Sequence, residues 1–228
     1  MSSRKIPFTT GEIYHLCNRS TEGIQIFTPS FARHFLRVLD ESNMVGEGRR
    51  GSLRHPDRVS PVEPPLVEVY AIVLMPNHFH LLVRQLADGG IARWMHRSCL
   101  SFSRTFNLVK NRRGTLFMGR FQAVLAEEDR QLFHLFVYIH ANPLDFTMPQ
   151  WRDGKISDWV KASTFLKNYK WSSLGLYTGA INVAKEIKSL ISVEFPAAFL
   201  AEWGGIEAGI HDWSARDFDE FRNSFLED

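Results

Sequence analysis

Two histidines separated by one bulky apolar residue are the first feature of this chain that could do chemistry. His78 and His80 flank Phe79 inside a run of apolar and β-branched residues typical of a buried strand. Successive side chains of a strand point to opposite faces, so the two imidazoles share one face while Phe79 points to the other. Imidazoles held in this way could form half of a metal site. The alternative interpretation is a pair of ordinary, hydrogen-bonded strand histidines.

A second polar group lies further along the chain. Acidic residues at 127–129 and Pro143 are start and stop signals for a short helix over residues 130–141. Tyr138 and Asn142 are four residues apart, which makes them neighbours on one helix face. Tyr138 could therefore act as a nucleophile and Asn142 as a third metal ligand. Taken singly, each residue also fits a structural role, as a helix aromatic and as a C-terminal cap before a proline.

Six short sequence blocks follow one another along the chain. They are YHLCNR at 14–19, QIF at 25–27, LMPNHFHLLV at 74–83, LFMGRF at 116–121, YIHANP at 138–143 and WSS at 171–173. In the same order, these blocks resemble the signature blocks of the single-tyrosine HUH transposases, and the branch with the greatest similarity is that of the REP-associated tyrosine transposases. The resemblance implies a DNA strand-transfer enzyme that depends on Mg²⁺ or Mn²⁺ and acts on single-stranded, often hairpin-forming DNA.

The resemblance implies roles for both polar groups. The two strand histidines would hold the divalent cation with Asn142 as third ligand, and Tyr138 would form a 5′-phosphotyrosine link that leaves a free 3′-hydroxyl. Such ligands would also accept Zn²⁺, Fe²⁺ or Ni²⁺, so Mg²⁺ or Mn²⁺ is inferred from the family and the chemistry. His134 and His140 are candidates for helping to deprotonate the phenol. Both are left out of the predicted site, and His140 lies on a different helix face from Tyr138.

Positive charge is concentrated in the first half of the chain. Residues 1–125 hold 17 Lys and Arg against 9 Asp and Glu, a net charge of +8, whereas residues 126–228 hold 10 against 16, a net charge of −6. Guanidinium groups match phosphate oxygens and stack on bases, although a solvated surface is the alternative interpretation. Trp94 and Phe117 could stack on unpaired bases, but each is also typical of a core. The arginines predicted to contact DNA are Arg19, Arg93, Arg97, Arg104, Arg112, Arg113 and Arg120.

The predicted elements follow the order βαββαβα. This order predicts an α+β protein with a ferredoxin-like sandwich, in which helices pack on one face of a mostly antiparallel sheet. We expect a catalytic domain at 1–177 and a C-terminal helical appendage at 178–228 that packs on the core or binds a partner. The segment 46–61, rich in Gly, Pro and Arg, predicts a long loop. The strands are predicted at 11–19, 67–75, 79–85 and 121–127, and the helices at 29–43, 90–109, 130–141, 186–190 and 212–225.

Composition and targeting signals favour a cytoplasmic protein, associated with the nucleoid when bound to DNA. Apolar residues make up 44% of the chain, and no segment is long and apolar enough to span a membrane. Residues 1–7 are not followed by the apolar stretch of a secretion signal. Cys17 and Cys99 lack metal-like spacing and are expected to be buried free thiols. A homodimer is compatible with the sequence.

Two other functions compete with strand transfer at this stage. The first is a DNA-hairpin-binding protein that keeps the fold and has no strand-transfer role. The second is a metal-dependent hydrolase or RNA-binding enzyme in which Tyr138 is structural. Covalent capture of a DNA strand would separate all three functions, because only strand transfer requires a bond between the protein and the DNA.

Overall fold

The computed structural model describes residues 7–46 and 64–213. Among the described helices, none combines the length and the apolar character that a bilayer crossing needs. The elements in chain order are β1 (Ile13–Arg19), α1 (Pro29–Ser42), β2 (Val67–Leu74), β3 (His78–Gln85), α2 (Gly90–Val109), β4 (Gln122–Leu125), α3 (Asp129–Ala141), α4 (Trp159–Asn168), α5 (Leu174–Thr178), α6 (Lys185–Leu190), α7 (Glu194–Glu202) and α8 (Ile206–His211).

The four strands form one antiparallel sheet in the order β2-β3-β1-β4. The histidine strand β3 lies in the interior of the sheet, where it pairs with β1 on one side and with β2 on the other. In the β1–β3 register, Cys17 lies opposite His80 and Arg19 lies opposite His78. The βαββαβ order and the antiparallel sheet confirm the predicted α+β class with a ferredoxin-like arrangement.

Helices cover both faces of the sheet. On one face, Leu16 and Phe79 pack with α1 and α2, which form the predicted helical layer. On the opposite face, Val73 and Leu82 pack with α3 and with later helices. The predicted single helical layer did not include this second layer. The second layer is needed because the central strands carry large apolar side chains on both faces, and an uncovered face would leave an extended apolar patch in water.

The helices after residue 178 pack on both core layers. Ile187 and Leu190 of α6 join the layer of α1 and α2, whereas Ile210 of α8 joins the layer of α3. The approach between α8 and α3 is close, because a Cβ atom on Gly209 would lie 2.5 Å from the ring of Phe133. Of the two roles considered for this region, the described helices therefore show packing on the core.

Two predicted elements fall wholly or largely outside the described residues. They are the loop at 46–61, of which only position 46 is described, and the helix at 212–225, of which positions 212 and 213 are described. The predicted helix at 186–190 is present as α6, while α4, α5, α7 and α8 were not predicted. These four helices are short, with five to ten residues each, so the sequence shows few turns of helical periodicity from which to predict them.

Candidate active site on the α3 face of the sheet

His78, His80 and Tyr138 meet on the face of the sheet that packs against α3. The ring centroids of the two histidines are 5.2 Å apart, and the ring centroid of Tyr138 lies 5.5 Å from that of His80. Phe79, between the histidines, points to the opposite face and joins the core under α1 and α2. The alternation of the strand thus produces the juxtaposition that the sequence predicted.

The hydrogen bond of His78 leaves one of its ring nitrogens available to a ligand. Its Nδ1 lies 2.7 Å from Oδ1 of Asn77. Because an amide oxygen only accepts, Nδ1 donates and Nε2 carries the lone pair. None of the hydrogen bonds found among the described residues engages this Nε2 atom. Metal-binding histidines are commonly oriented in this way, by a neighbour that fixes the second ring nitrogen.

Burial keeps both imidazoles of the histidine pair neutral. Desolvation, helped by the positive charge of Arg19, lowers the pKa of His78 to about 4, against an opposing effect of Asp145. Desolvation also holds the pKa of His80 well below its ordinary value, with further contributions from His15 and His78. Neutral imidazole is the form that binds a metal ion, so both rings can act as ligands near neutral pH.

A third histidine, His15 on β1, supports His80 and was not part of the predicted site. Its Nε2 lies 2.9 Å from Nδ1 of His80, and the two rings stack with centroids 5.1 Å apart. If Nε2 of His80 binds a cation, Nδ1 of His80 is protonated and donates to His15. Alternation along β1 could have placed His15 on this face, opposite to Tyr14 and Leu16.

Tyr138 is fully buried near the end of α3. Its ring lies 6.1 Å from that of His15 and 6.0 Å from that of Trp151, measured between centroids. The guanidinium carbon of Arg152 lies 6.0 Å from the centroid of the Tyr138 ring. Tyr138 thus combines imidazole and guanidinium neighbours with packing in the apolar core on this face of the sheet.

Asn142 follows the last residue of α3 and caps it. Its Nδ2 donates to the carbonyl oxygen of Tyr138 at 2.8 Å, which is the structural role that the sequence offered as an alternative. Its Oδ1 faces Arg152, whose Nη2 lies 3.5 Å away. Within residues 7–46 and 64–213, no group of three or more His, Cys, Asp or Glu could hold a metal ion. A third protein ligand beside the histidine pair would therefore come from another residue type, and Asn142 Oδ1 is a candidate.

Arg152 and Asp145 are functional candidates that the sequence did not indicate. They lie on two 3₁₀ turns that follow α3 and form an ion pair with each other. Oδ1 of Asp145 also accepts a hydrogen bond from Nε1 of Trp151 at 2.7 Å. The positive charge of Arg152 is among the causes that lower the pKa values of the two strand histidines. The pair therefore places a cation and a carboxylate next to the imidazoles.

The predicted DNA-binding arginines have different surroundings. Arg93 and Arg97 donate to the carbonyl oxygens of Val45 and Met44, at 3.3 and 2.9 Å. Arg112 donates to the carbonyl oxygen of Thr115 at 2.9 Å and to Oγ1 of Thr21 at 3.1 Å, and so fastens residues 112–121 to the end of β1. These three side chains hold protein segments together. The other four arginines are exposed, namely Arg19, Arg104, Arg113 and Arg120.

The two aromatics proposed for base stacking are buried. Trp94 is fully buried, and its Nε1 donates to the carbonyl oxygen of Leu39 at 2.8 Å. Phe117 is 7% exposed and packs on Phe79 and Phe102. Trp94 is therefore a core residue in this structure. Phe117 keeps an edge toward the cavity between α2 and residues 114–121.

Comparisons with known proteins give distant structural likenesses alone. No protein-family model matches the sequence, and no curated protein matches it. Among solved structures, the chain is similar to one described as the "REP associates tyrosine transposase bound to a REP hairpin", with 16% sequence identity and a TM-score of 0.48. The similarity covers 82% of this chain and 93% of that chain. A likeness at this level is too distant to assign a function.

Proposed function

We propose that this protein is a metal-dependent DNA transposase that cleaves and rejoins single-stranded, hairpin-containing DNA through a covalent phosphotyrosine. The observation that carries the proposal is the pair of neutral imidazoles, with Nε2 of His78 available to a ligand, beside the buried phenol of Tyr138. His78 and His80 would hold Mg²⁺ or Mn²⁺, with Oδ1 of Asn142 as the candidate third ligand. When bound, the cation supplies positive charge to the scissile phosphate.

In the proposed reaction, Tyr138 would be the nucleophile and Arg152 would stabilise charge. The phenolic oxygen of Tyr138 attacks phosphorus and forms a P–O bond, while the bond from phosphorus to the 3′-oxygen breaks. The phenolic proton is lost, and the departing 3′-oxygen takes up a proton to become a hydroxyl group. The bond energy is kept in the phosphotyrosine, so a second 3′-hydroxyl can reverse the reaction and rejoin the strand. Arg152, whose guanidinium carbon lies 6.0 Å from the centroid of the Tyr138 ring, would stabilise charge on the phosphate oxygens.

The choice of DNA as substrate is supported by charge. The net charge of +8 in residues 1–125 gives this part of the chain an attraction for polyanions. Arg19 pairs in register with His78 across β1 and β3 and is exposed, so a phosphate at the histidines would also lie near a guanidinium group. Three other exposed arginines, Arg104, Arg113 and Arg120, lie on α2 or on residues 112–121, and these residues contact the same end of β1 as Arg19.

A covalent-capture assay tests the proposal. Labelled hairpin oligonucleotides from the DNA that flanks the gene are incubated with the protein and Mg²⁺ or Mn²⁺, and a denaturing gel is read for a protein-linked strand. The wild-type protein should form the adduct. Tyr138→Phe should abolish it without weakening DNA binding, because only the phenolic oxygen is removed. Tyr169→Phe is the matched control, since Tyr169 donates to the carbonyl oxygen of Leu74 outside the site and its loss should leave the adduct intact.

The other outcomes would favour the competing functions. Hairpin binding without any adduct would support the binding protein that has no strand-transfer role. Cleavage by Tyr138→Phe would point to an activated water as nucleophile and would support the hydrolase. A clear preference for RNA oligonucleotides would support the RNA-binding enzyme.

A further inference from the structure

A cavity of about 870 Å³ lies between α2 and the loop at 114–121, on the side of the sheet away from Tyr138. Helix α2 contributes Met95, Cys99 and Ser103, which recur at helical spacing, and the loop contributes Leu116 and Phe117. Pockets that bind small ligands have volumes of roughly 300–1,000 Å³. This cavity, which is open to solvent, therefore has the size of a binding site.

The cavity combines apolar walls with a basic rim. Met95, Leu116 and Phe117 are buried and form the apolar part. The exposed Arg104 of α2 and Arg120 of the loop contribute guanidinium groups. None of the described side chains that line the cavity is acidic. An apolar interior with two cations at the entrance fits a ligand that has a flat apolar ring and an attached anion.

Asn18 adds one directional polar group to the cavity. It lies on β1, is 6% exposed, and lines the cavity. Its Oδ1 accepts a hydrogen bond from the backbone N–H of Arg19 at 2.9 Å. The Nδ2 group therefore remains as a donor for the ligand. A nucleobase offers acceptors for such a donor on its edge and π-faces for the apolar walls.

The cavity and the candidate active site lie on the two sides of the same strand end. Asn18 and Arg19 are consecutive on β1, so Asn18 faces the cavity whereas Arg19 acts on His78 on the other side. The loop is fixed at this point, because the backbone N–H of Met118 donates to the carbonyl oxygen of Arg19 at 2.8 Å. Packed layers are about 10 Å apart. A DNA strand that passes around this end of β1 would therefore span the two sites with a few nucleotides.

We infer that this cavity receives one unpaired base from the single-stranded DNA next to the cleavage point, while Arg104 and Arg120 contact the adjoining phosphates. The inference rests on the proposed function for the choice of DNA as ligand. It deepens that function, because a base held at a fixed distance from Tyr138 would select which phosphodiester lies at the histidine pair. The pocket would accordingly read one position of the flank by shape and by the amide of Asn18.

A thermodynamic cycle tests the inference without any cleavage. The protein carries Tyr138→Phe, no divalent metal is added, and the probe is a hairpin oligonucleotide with a single-stranded flank in which each base in turn is replaced by an abasic site. Loss of one stacked base weakens binding by about 5- to 150-fold in comparable systems. One flank position should therefore show a loss in this range. Anisotropy of a fluorophore on the hairpin measures each Kd.

Filling the cavity should remove that dependence. Ser103→Trp places an indole in the cavity from α2, so the sensitive base can no longer enter and its removal should no longer change Kd. Leu108→Trp, on the same helix and 83% exposed, is the matched control and should keep the wild-type dependence. The inference is overturned if no flank position is sensitive, or if Ser103→Trp remains as sensitive as the control.

A second pair of variants covers the case in which Ser103→Trp does not fold. Arg104→Gln should weaken binding to the hairpin with a flank by more than it weakens binding to the same hairpin without one. Arg37→Gln removes an equal charge from an exposed position on α1 and should affect both probes equally. An equal effect of Arg104→Gln on both probes would contradict the inference.

The result separates this inference from the proposed function. Adduct formation by the wild-type protein together with no base-specific loss would overturn the inference and leave strand transfer standing. A base-specific loss that disappears in Ser103→Trp, without any adduct, would support the cavity as a base site and count against strand transfer.

Discussion

At the residue scale, the candidate site depends on which nitrogen of each imidazole carries the proton. Asn77 fixes His78 through Nδ1, and His15 occupies Nδ1 of His80. His78 therefore presents Nε2 as the available atom, and His80 does so in the tautomer in which its Nδ1 donates to His15. If the two histidines bind a cation as proposed, their orientation by different neighbours would lower the entropic cost of ordering the site.

The hydrogen bond between His15 and His80 leads to a prediction about metal affinity. His15→Phe removes the acceptor for Nδ1–H of His80 and should weaken Mn²⁺ binding by about 10- to 100-fold, as loss of such partners does elsewhere. His15→Gln keeps an acceptor and should recover part of the affinity. Titration with Mn²⁺, followed by electron paramagnetic resonance, measures both values. His211→Gln, at an exposed position on α8, is the control and should not change the affinity. Equal affinities of His15→Phe and wild type would show that His15 does not orient the ligand.

The positive charge of Arg152 leads to a prediction about how Mn²⁺ binding depends on pH. Its charge lowers the pKa values of His78 and His80, so Arg152→Gln should raise both. Protons then compete with the cation up to a higher pH, and the midpoint pH for Mn²⁺ binding should move upward. Arg152→Lys keeps the charge and should stay closer to wild type. Histidine chemical shifts, recorded against pH with and without the cation, provide the measurement. A midpoint that does not move in Arg152→Gln would remove Arg152 from the electrostatics of the site.

Strand alternation predicted that His78 and His80 share a face, because it is a local property of the sequence, whereas their meeting with Tyr138 was expected from the two motifs taken together. His15 required the pairing of β1 with β3, which is a long-range property. Arg152 and Asp145 lie on turns after α3, and their positions follow from how those turns pack. Local periodicity therefore gave the centre of the candidate site, while the neighbours that orient and charge it came from tertiary structure.

At the element scale, His140 connects α3 to the segment before α5. Its Nδ1 donates to the carbonyl oxygen of Phe136 at 2.8 Å, and its Nε2 lies 2.7 Å from Oγ of Ser173. Ser173 in turn accepts a hydrogen bond from the backbone N–H of Ile72 on β2 at 3.0 Å. This buried chain joins α3, β2 and α5, and it explains why His140 has a structural role apart from the phenol of Tyr138.

The buried His140 predicts how stability depends on pH. Burial lowers its pKa to about 4 from the ordinary 6.5, so the unfolded chain binds a proton more readily than the folded protein. The contribution of His140 to stability is therefore complete above pH 6.5 and is lost as the pH falls toward 4, by at most about 1.4 kcal/mol per pH unit. Urea unfolding at several pH values gives the slope. Between pH 4 and 6.5, His140→Gln should reduce the slope of the unfolding free energy against pH by the amount that corresponds to about one bound proton. An unchanged slope would contradict the assignment.

At the scale of the whole molecule, the order of elements predicted the class of the fold, and the long, strongly patterned segments were placed correctly. The second helical layer and the helices α4, α5, α7 and α8 were not predicted. They are short, and their apolar residues are completed by contacts with α3 and with the sheet. The charge difference between the two halves of the chain was visible in the sequence. Which of these charges can contact DNA depends on the folded surface, which the sequence alone does not show.

We expect the affinity for DNA to depend on salt through the exposed arginines of this surface and not through every basic side chain. Each phosphate contact to a single strand contributes about −0.7 to the slope of log K against log salt. Replacement of the exposed Arg104, Arg113 and Arg120 by Gln should therefore make the slope shallower by about two for a hairpin with a single-stranded flank. The control replaces Lys161, Lys185 and Lys188 by Gln, which removes the same charge from the acidic half of the chain and should leave the slope unchanged. Fluorescence anisotropy over a series of salt concentrations provides the slopes. Equal changes in the two triple variants would mean that DNA responds to net charge alone, whereas a change confined to the arginine variant would locate the contacts on α2 and the adjoining loop.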